Sequence, residues 1–122
     1  MKIHLLILSL ILFLRVSSQN LVLNPGFEDY DSCVTGFDQL VAPYINNWIN
    51  PNRSSPDVYN NCTSNPNVKP PLSFFGGQVP HSGSGFSGIV SYVLPNNNGR
   101  EYIEGEISSS LSKDSIYCVN FF

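Results

Sequence analysis

Glu101, Glu104 and Glu106 fall within six residues of one another, and paired carboxylates are a common engine of acid–base chemistry. In an extended segment Glu104 and Glu106 project from the same face, about 7 Å apart by strand rise. Glycosidase carboxylates stand about 5–9.5 Å apart and need a cleft around them. The spacing permits hydrolysis, and a solvated strand face carries the same pattern. His81, the one histidine beyond residues 1–18, supplies with Asp57 and one of many serines the residue types of a nucleophilic triad. No nucleophile elbow accompanies them: Ser87 has Gly85 before it but Ile89 where the second glycine belongs. Gly83, Gly85 and Gly88 match the dinucleotide-binding spacing, but a Pro-containing loop precedes them and a β-like run follows. A pyrophosphate site needs a helix N-terminus there, so these glycines read as turn residues.

Aromatic residues offer a binding chemistry instead. Tyr44, Trp48, Tyr59, Phe74 and Phe75 lie in or beside loops. Sugar-binding sandwiches stack exposed aromatic faces on saccharide C–H groups and fix the hydroxyls with polar side chains. The candidate ligand-binding set is therefore Trp48 and Tyr59 for stacking, with Asn60, Gln78 and Arg100 for hydrogen bonds. Trp48 in a strand is more often a core residue. Two glycosylation triplets also occur, at Asn52-Arg53-Ser54 and Asn61-Cys62-Thr63.

The elements that would carry these residues are short strands. Apolar residues show no 3.6-residue recurrence over a useful length. Residues 21–23 read as a strand closed by the turn Asn24-Pro25-Gly26, and 27–30 resume in extended form. Residues 44–49 form the next strand. The Asn/Pro/Ser-rich stretch 50–71 reads as a long ordered loop, functional or pinned by a crosslink. Residues 88–94 read as an apolar strand, 95–99 as a turn, 101–107 and 116–122 as alternating strands, and Lys113-Asp114-Ser115 as a tight turn between the last two. Several such strands point to an all-β, jelly-roll-like antiparallel β-sandwich. The closing strand ends on Phe121-Phe122 with no turn after it; bare aromatics there are a hazard at a sheet edge, so the domain is expected to be incomplete at its C-terminus.

Residues 1–18 read as a secretory signal peptide, with Lys2 at the start, a ten-residue apolar run from Leu5 to Leu14, and small residues Val16 and Ser18 before the cut. The run is too short to cross a bilayer. Without Lys2 and Arg15 the remainder has four basic side chains (Arg53, Lys69, Arg100, Lys113) against nine acidic ones, a formal charge of −5. That rules out a basic nucleic-acid-binding surface as the main idea and argues against an electrostatic membrane binder. Residues 19–122 suffice for one small domain. Export makes a disulfide expected. Three cysteines allow three single pairings, of which Cys33–Cys62 is favoured because both lie in loop-like sequence, while Cys118 sits in an alternating strand pattern. Zinc is not supported, since His81 stands alone and no C-x-x-C occurs.

Four ordered stretches resemble a known family. Asn20-Leu-Val-Leu-Asn24-Pro25-Gly26-Phe27-Glu28 is similar to the opening of carbohydrate-binding-module-like, galactose-binding-type β-sandwiches. Pro56-Asp57-Val58-Tyr59-Asn60-Asn61-Cys62 follows, then Phe74-Phe75-Gly76-Gly77-Gln78-Val79-Pro80-His81-Ser82-Gly83, then Arg100-Glu101-Tyr102-Ile103 with Leu111 to Tyr117. In this order they resemble the N-terminal sandwich domain of secreted or outer-membrane OmpA-family proteins of the Bacteroidetes type. The likeness covers most of residues 20–122. It departs at Asp114, where glycine is usual, a tolerable exchange because Asp also adopts the left-handed region. No OmpA-like domain lies in the sequence, so peptidoglycan binding is not carried over. The resemblance implies that Glu28 helps hold a structural Ca²⁺, although the partner acid usually comes from a strand that the sequence lacks.

These readings converge on an exported, non-catalytic binding module of the cell envelope or extracellular space, outer-membrane-associated or periplasmic if not secreted, with a glycan as ligand. The alternatives are a structural spacer that docks cell-envelope protein partners and a glycoside hydrolase fragment.

Overall fold

The computed structural model describes residues 19–92 and 99–122. The expected signal peptide, Val93, Leu94 and most of the 95–99 turn lie outside the described residues. Six short strands appear in order: β1 (Trp48–Ile49), β2 (Asp57–Asn60), β3 (Leu72–Ser73), β4 (Gly76–Gly77), β5 (Gly85–Gly88) and β6 (Glu104–Gly105). A 3₁₀ turn, Pro66–Val68, precedes β3, with Asn65 accepting at its N-cap and Pro66 at its first position. The strands pair antiparallel as β1–β6, β2–β5 and β3–β4. The described residues are therefore strand and coil without an α-helix, as the missing helical periodicity requires. None of their helices is long and apolar enough to cross a membrane.

Three stretches expected as strands do come together. The Glu106 N–H donates to the Asn47 carbonyl, the Leu23 N–H to the Glu106 carbonyl and the Ser108 N–H to the Leu21 carbonyl, each at 2.8 Å. Val22 bridges Ile107, so 104–107 lies between 21–23 and 47–49. Regular strand survives only at Trp48–Ile49 and Glu104–Gly105.

Asn24 is the hinge of this cluster. It adopts φ 51°, a region Asn enters more readily than most residues. Its amide donates to the carbonyls of Asp29 and Asn46, and its side-chain oxygen accepts from the N–H groups of Glu28 and Asp29. The expected turn is present, but it runs on into Phe27, whose φ is 57°; extended backbone resumes only after that residue.

The long loop expected over 50–71 is a correction. It contains β2, all four of whose residues are buried. Composition hid this strand because Asp57 and Asn60 are poor strand formers and Pro56 precedes them. Both are retained by local bonds: Asp57 accepts from the Asp38 N–H at 2.8 Å, and Asn60 accepts from the Cys62 N–H at 2.9 Å. The partner β5 is Gly85-Phe86-Ser87-Gly88. A Cβ at Gly88 would stand 2.9 Å from Tyr59 Cε2, so the tyrosine ring occupies the space a side chain would need. The ladder accordingly uses 85–88, and Ile89 and Val90 just beyond it stay substantially exposed.

Val34, Leu40, Ile45, Val58, Tyr59 and Val68 form the core, with Phe27, Tyr44, Trp48, Phe86 and Ile103 packed against it. Tyr59 and Phe86 stack with centroids 4.8 Å apart. The Cys33–Cys62 disulfide ties the first segment to the end of β2, as favoured from sequence. Lys113 and Asp114 make the expected turn, with Asp114 at φ 63°. The strand expected over 116–122 is not formed: Ile116 is 96% exposed and Phe121 90%, and no segment pairs with it among the described residues. Cys118 is a free, exposed thiol.

Candidate functional site

A groove lies along the β1–β6 ladder and has a volume of about 470 Å³. Val41, Ala42, Ile45, Trp48 and Ile49 give it an apolar floor, and Asn46, Asn47, Glu104 and Glu106 supply the polar groups. The turn at 41–45 is held by the N–H groups of Tyr44 and Ile45 on the Val41 carbonyl. Asn46 is fixed to Asp29 twice, by its backbone N–H on the Asp29 carbonyl at 2.9 Å and by its amide on Oδ1 at 3.1 Å. Asn47 sits at φ 66° and donates from its amide to Glu106 Oε2 at 3.4 Å. Glu104 stands opposite Ile49 in the ladder, and Glu104 and Glu106 line one groove, as alternation along the strand requires.

Trp48 is half-buried here. Its ring stacks on Phe27 with centroids 4.7 Å apart, and its indole N–H donates to the Asn24 carbonyl at 2.8 Å. The benzo edge abuts Gly105. Core packing and groove lining are thus combined in one side chain.

The five residues expected to bind ligand are not gathered in this groove, which only Trp48 lines. Tyr59 is 4% exposed and Asn60 1%, so neither presents a surface to a saccharide. The backbone pairing of β2 with β5 carries both inward. Gln78 is exposed, its amide donating to the Val79 carbonyl at 2.9 Å; Arg100 is exposed, and its carbonyl accepts from the Asn52 amide at 2.8 Å. Asn46, Asn47 and Ile49 were missed, and the polar pair immediately before the lone tryptophan was the available signal.

Glu28, the residue expected to help hold calcium, is engaged with the loop at Ser84–Gly85. Its Oε1 accepts from the backbone N–H groups of Ser84 and Gly85, and no group of three or more His, Cys, Asp or Glu is assembled among the described residues. One carboxylate oxygen of Glu28 thus clamps the loop, and a hard cation would need six to eight oxygens around it. The triad residues are also apart in their bonding. Asp57 accepts from Asp38 N–H and Tyr59 O–H, while His81 stacks on Phe122 with centroids 4.1 Å apart.

Burial raises the Asp57 pKa, opposed by the bonds it accepts from Asp38 and Tyr59. Burial and the neighbouring Asp57 carboxylate push the Tyr59 phenol well above its ordinary value. Glu101 closes the same region from the other side, accepting from Ser55 O–H at 2.8 Å and Val90 N–H at 2.7 Å. These buried carboxylates act as acceptors for backbone and hydroxyl groups.

A second feature is the aromatic cluster of Phe37, Phe74 and Phe75, packed edge to face with centroids 5.1–5.8 Å apart. All three remain exposed, Phe74 by 69%; Phe74 and Phe75 form the tip of the β3–β4 hairpin, and Phe37 packs on them from an earlier segment. Comparison of the chain with family models, curated proteins and solved structures finds no match.

Proposed function

We propose that this chain is an exported, non-catalytic binding module of the cell envelope or extracellular space, and that its ligand is a glycan seated in the groove beside Trp48. The observation that carries the reading is the composition of that groove: an apolar floor bordered by two amides and two carboxylates. Saccharides present both apolar C–H faces and dense hydroxyls, and such a surface answers both. The Cys33–Cys62 bond supports an oxidising compartment, in keeping with the leader-like start of the sequence. The short antiparallel ladders are consistent with a jelly-roll-like sandwich, the architecture the opening motif suggests.

A glycan-array screen tests the reading, with Ile49→Ala and Asn47→Ala as groove variants. Ile49 is 56% exposed, so its truncation leaves the core intact. A saccharide signal that both variants weaken supports the proposal, and silence across the array from folded protein defeats it.

The second reading is a spacer that docks an envelope protein. It is favoured by the exposed Phe37, Phe74 and Phe75 cluster, since contiguous exposed apolar groups mark interaction surfaces. Array silence combined with partner capture that Phe74→Ser abolishes would favour it.

A further inference from the structure

Resting on the glycan reading, we infer that the groove selects saccharides bearing protonated amines, such as oligomers of glucosamine, over neutral or N-acetylated ones. Glu104 and Glu106 both line the groove, and its lining contains no Lys, Arg or His. Glu104 is exposed, and no hydrogen bond engages its carboxylate among the described contacts. Glu106 is held by Asn47 through Oε2 only, at 3.4 Å, a length that leaves the carboxylate open to a stronger donor. Asn46 gives one amide N–H to Asp29 Oδ1 and Asn47 gives one to Glu106 Oε2, so each of the two amides has already spent one of its two donors on a protein carboxylate. The groove therefore offers mainly acceptors. Hydroxyls satisfy acceptors, but an ammonium group satisfies them and also meets the two negative charges, forming a charge-assisted bond of roughly twice the strength of a neutral one. The apolar floor of Val41, Ala42, Ile45 and Ile49 separates this ligand from a bare polycation, because it needs the C–H face of a sugar ring to cover it.

The test is titration of the whole mature protein with a glucosamine oligomer and with its fully N-acetylated counterpart of equal length, at mildly acidic pH, followed by calorimetry. The glucosamine oligomer is expected to bind at least about tenfold tighter. Glu104→Gln is expected to remove that preference while leaving the thermal unfolding midpoint unchanged, and Glu106→Gln provides the same comparison should the first variant fold poorly. Added salt is expected to erode the preference through screening. Equal or tighter binding of the N-acetylated oligomer, or equal binding of pentalysine, overturns the amine inference and leaves the glycan reading standing. Failure of both oligomers together with silence across the glycan array overturns both.

Discussion

Gly105 lies directly across the β1–β6 ladder from Trp48, with only a hydrogen where a methyl group would stand 2.7 Å from Cζ3 and 2.8 Å from Cη2 of the indole. The ring therefore fills the space above the glycine and reaches Phe27 behind it. Gly105→Ala drives a methyl into a ring held in place by its stack on Phe27 and its bond to the Asn24 carbonyl. Overpacking of this kind costs about 1–3 kcal/mol. Urea unfolding followed by the fluorescence of the single tryptophan should show a lowered midpoint with an unchanged slope.

Asn24 is the second fixed point of the same cluster. Four side-chain bonds and a left-handed backbone meet in it. Asn24→Ala loses the bonds and strains the backbone, whereas Asn24→Gly loses the bonds alone. Both variants should unfold earlier, the alanine variant by about 2 kcal/mol or more and the glycine variant by less. Thermal scans of the two side by side check the order. Equal losses would mean that the backbone conformation contributes nothing.

The Cys33–Cys62 bond closes a separation of 29 residues. Loop-closure entropy gives such a crosslink roughly 3–4 kcal/mol of stabilisation, a large share for a domain of this size. Reduction should lower the urea midpoint sharply, and thiol titration of the oxidised, unfolded chain should count the one thiol of Cys118.

Asp57 gives the chain a pH dependence. Its carboxyl titrates above the ordinary 3.8 in the folded state because burial disfavours the charge. The stabilisation linked to its protonated form is complete below 3.8 and is lost as pH rises through the raised folded value. Asp57→Asn keeps an acceptor for the Asp38 N–H and removes the charge. The difference in unfolding free energy between this variant and the natural chain should grow in the variant's favour from strongly acidic to neutral pH. A pH-independent difference would show that desolvation of Asp57 does not govern it.

Much of the local chemistry was legible in the sequence. Turn residues stand at Asn24-Pro25-Gly26 and at Asp114, and the residue pattern around Val22, Trp48 and Glu104 is that of extended segments. What sequence concealed was burial. Val58 and Tyr59 are flanked by Asp57 and Asn60, whose polarity reads as loop until their hydrogen bonds are seen. Gly85 and Gly88 read as turns, yet they are the empty half of a ladder whose full half is Tyr59. Conversely, the clean alternation of 116–122 has nothing to pair with among the described residues, because periodicity specifies a face and not a partner. The groove was half legible: Trp48 and the glutamate pair were noticed separately, and only the Trp48–Gly105 register joins them.

The most direct test of the groove as a ligand site is a nitrogen–proton correlation spectrum recorded during titration with a saccharide that scores on the array. The indole N–H of Trp48 is the single tryptophan side-chain signal and reports from the groove itself. It should shift progressively and saturate together with the backbone amides of Asn46, Asn47, Ile49, Glu104 and Glu106. Resonances of these residues that stay fixed at saturating saccharide, or shifts confined to Phe37, Phe74 and Phe75, would contradict a glycan site at Trp48.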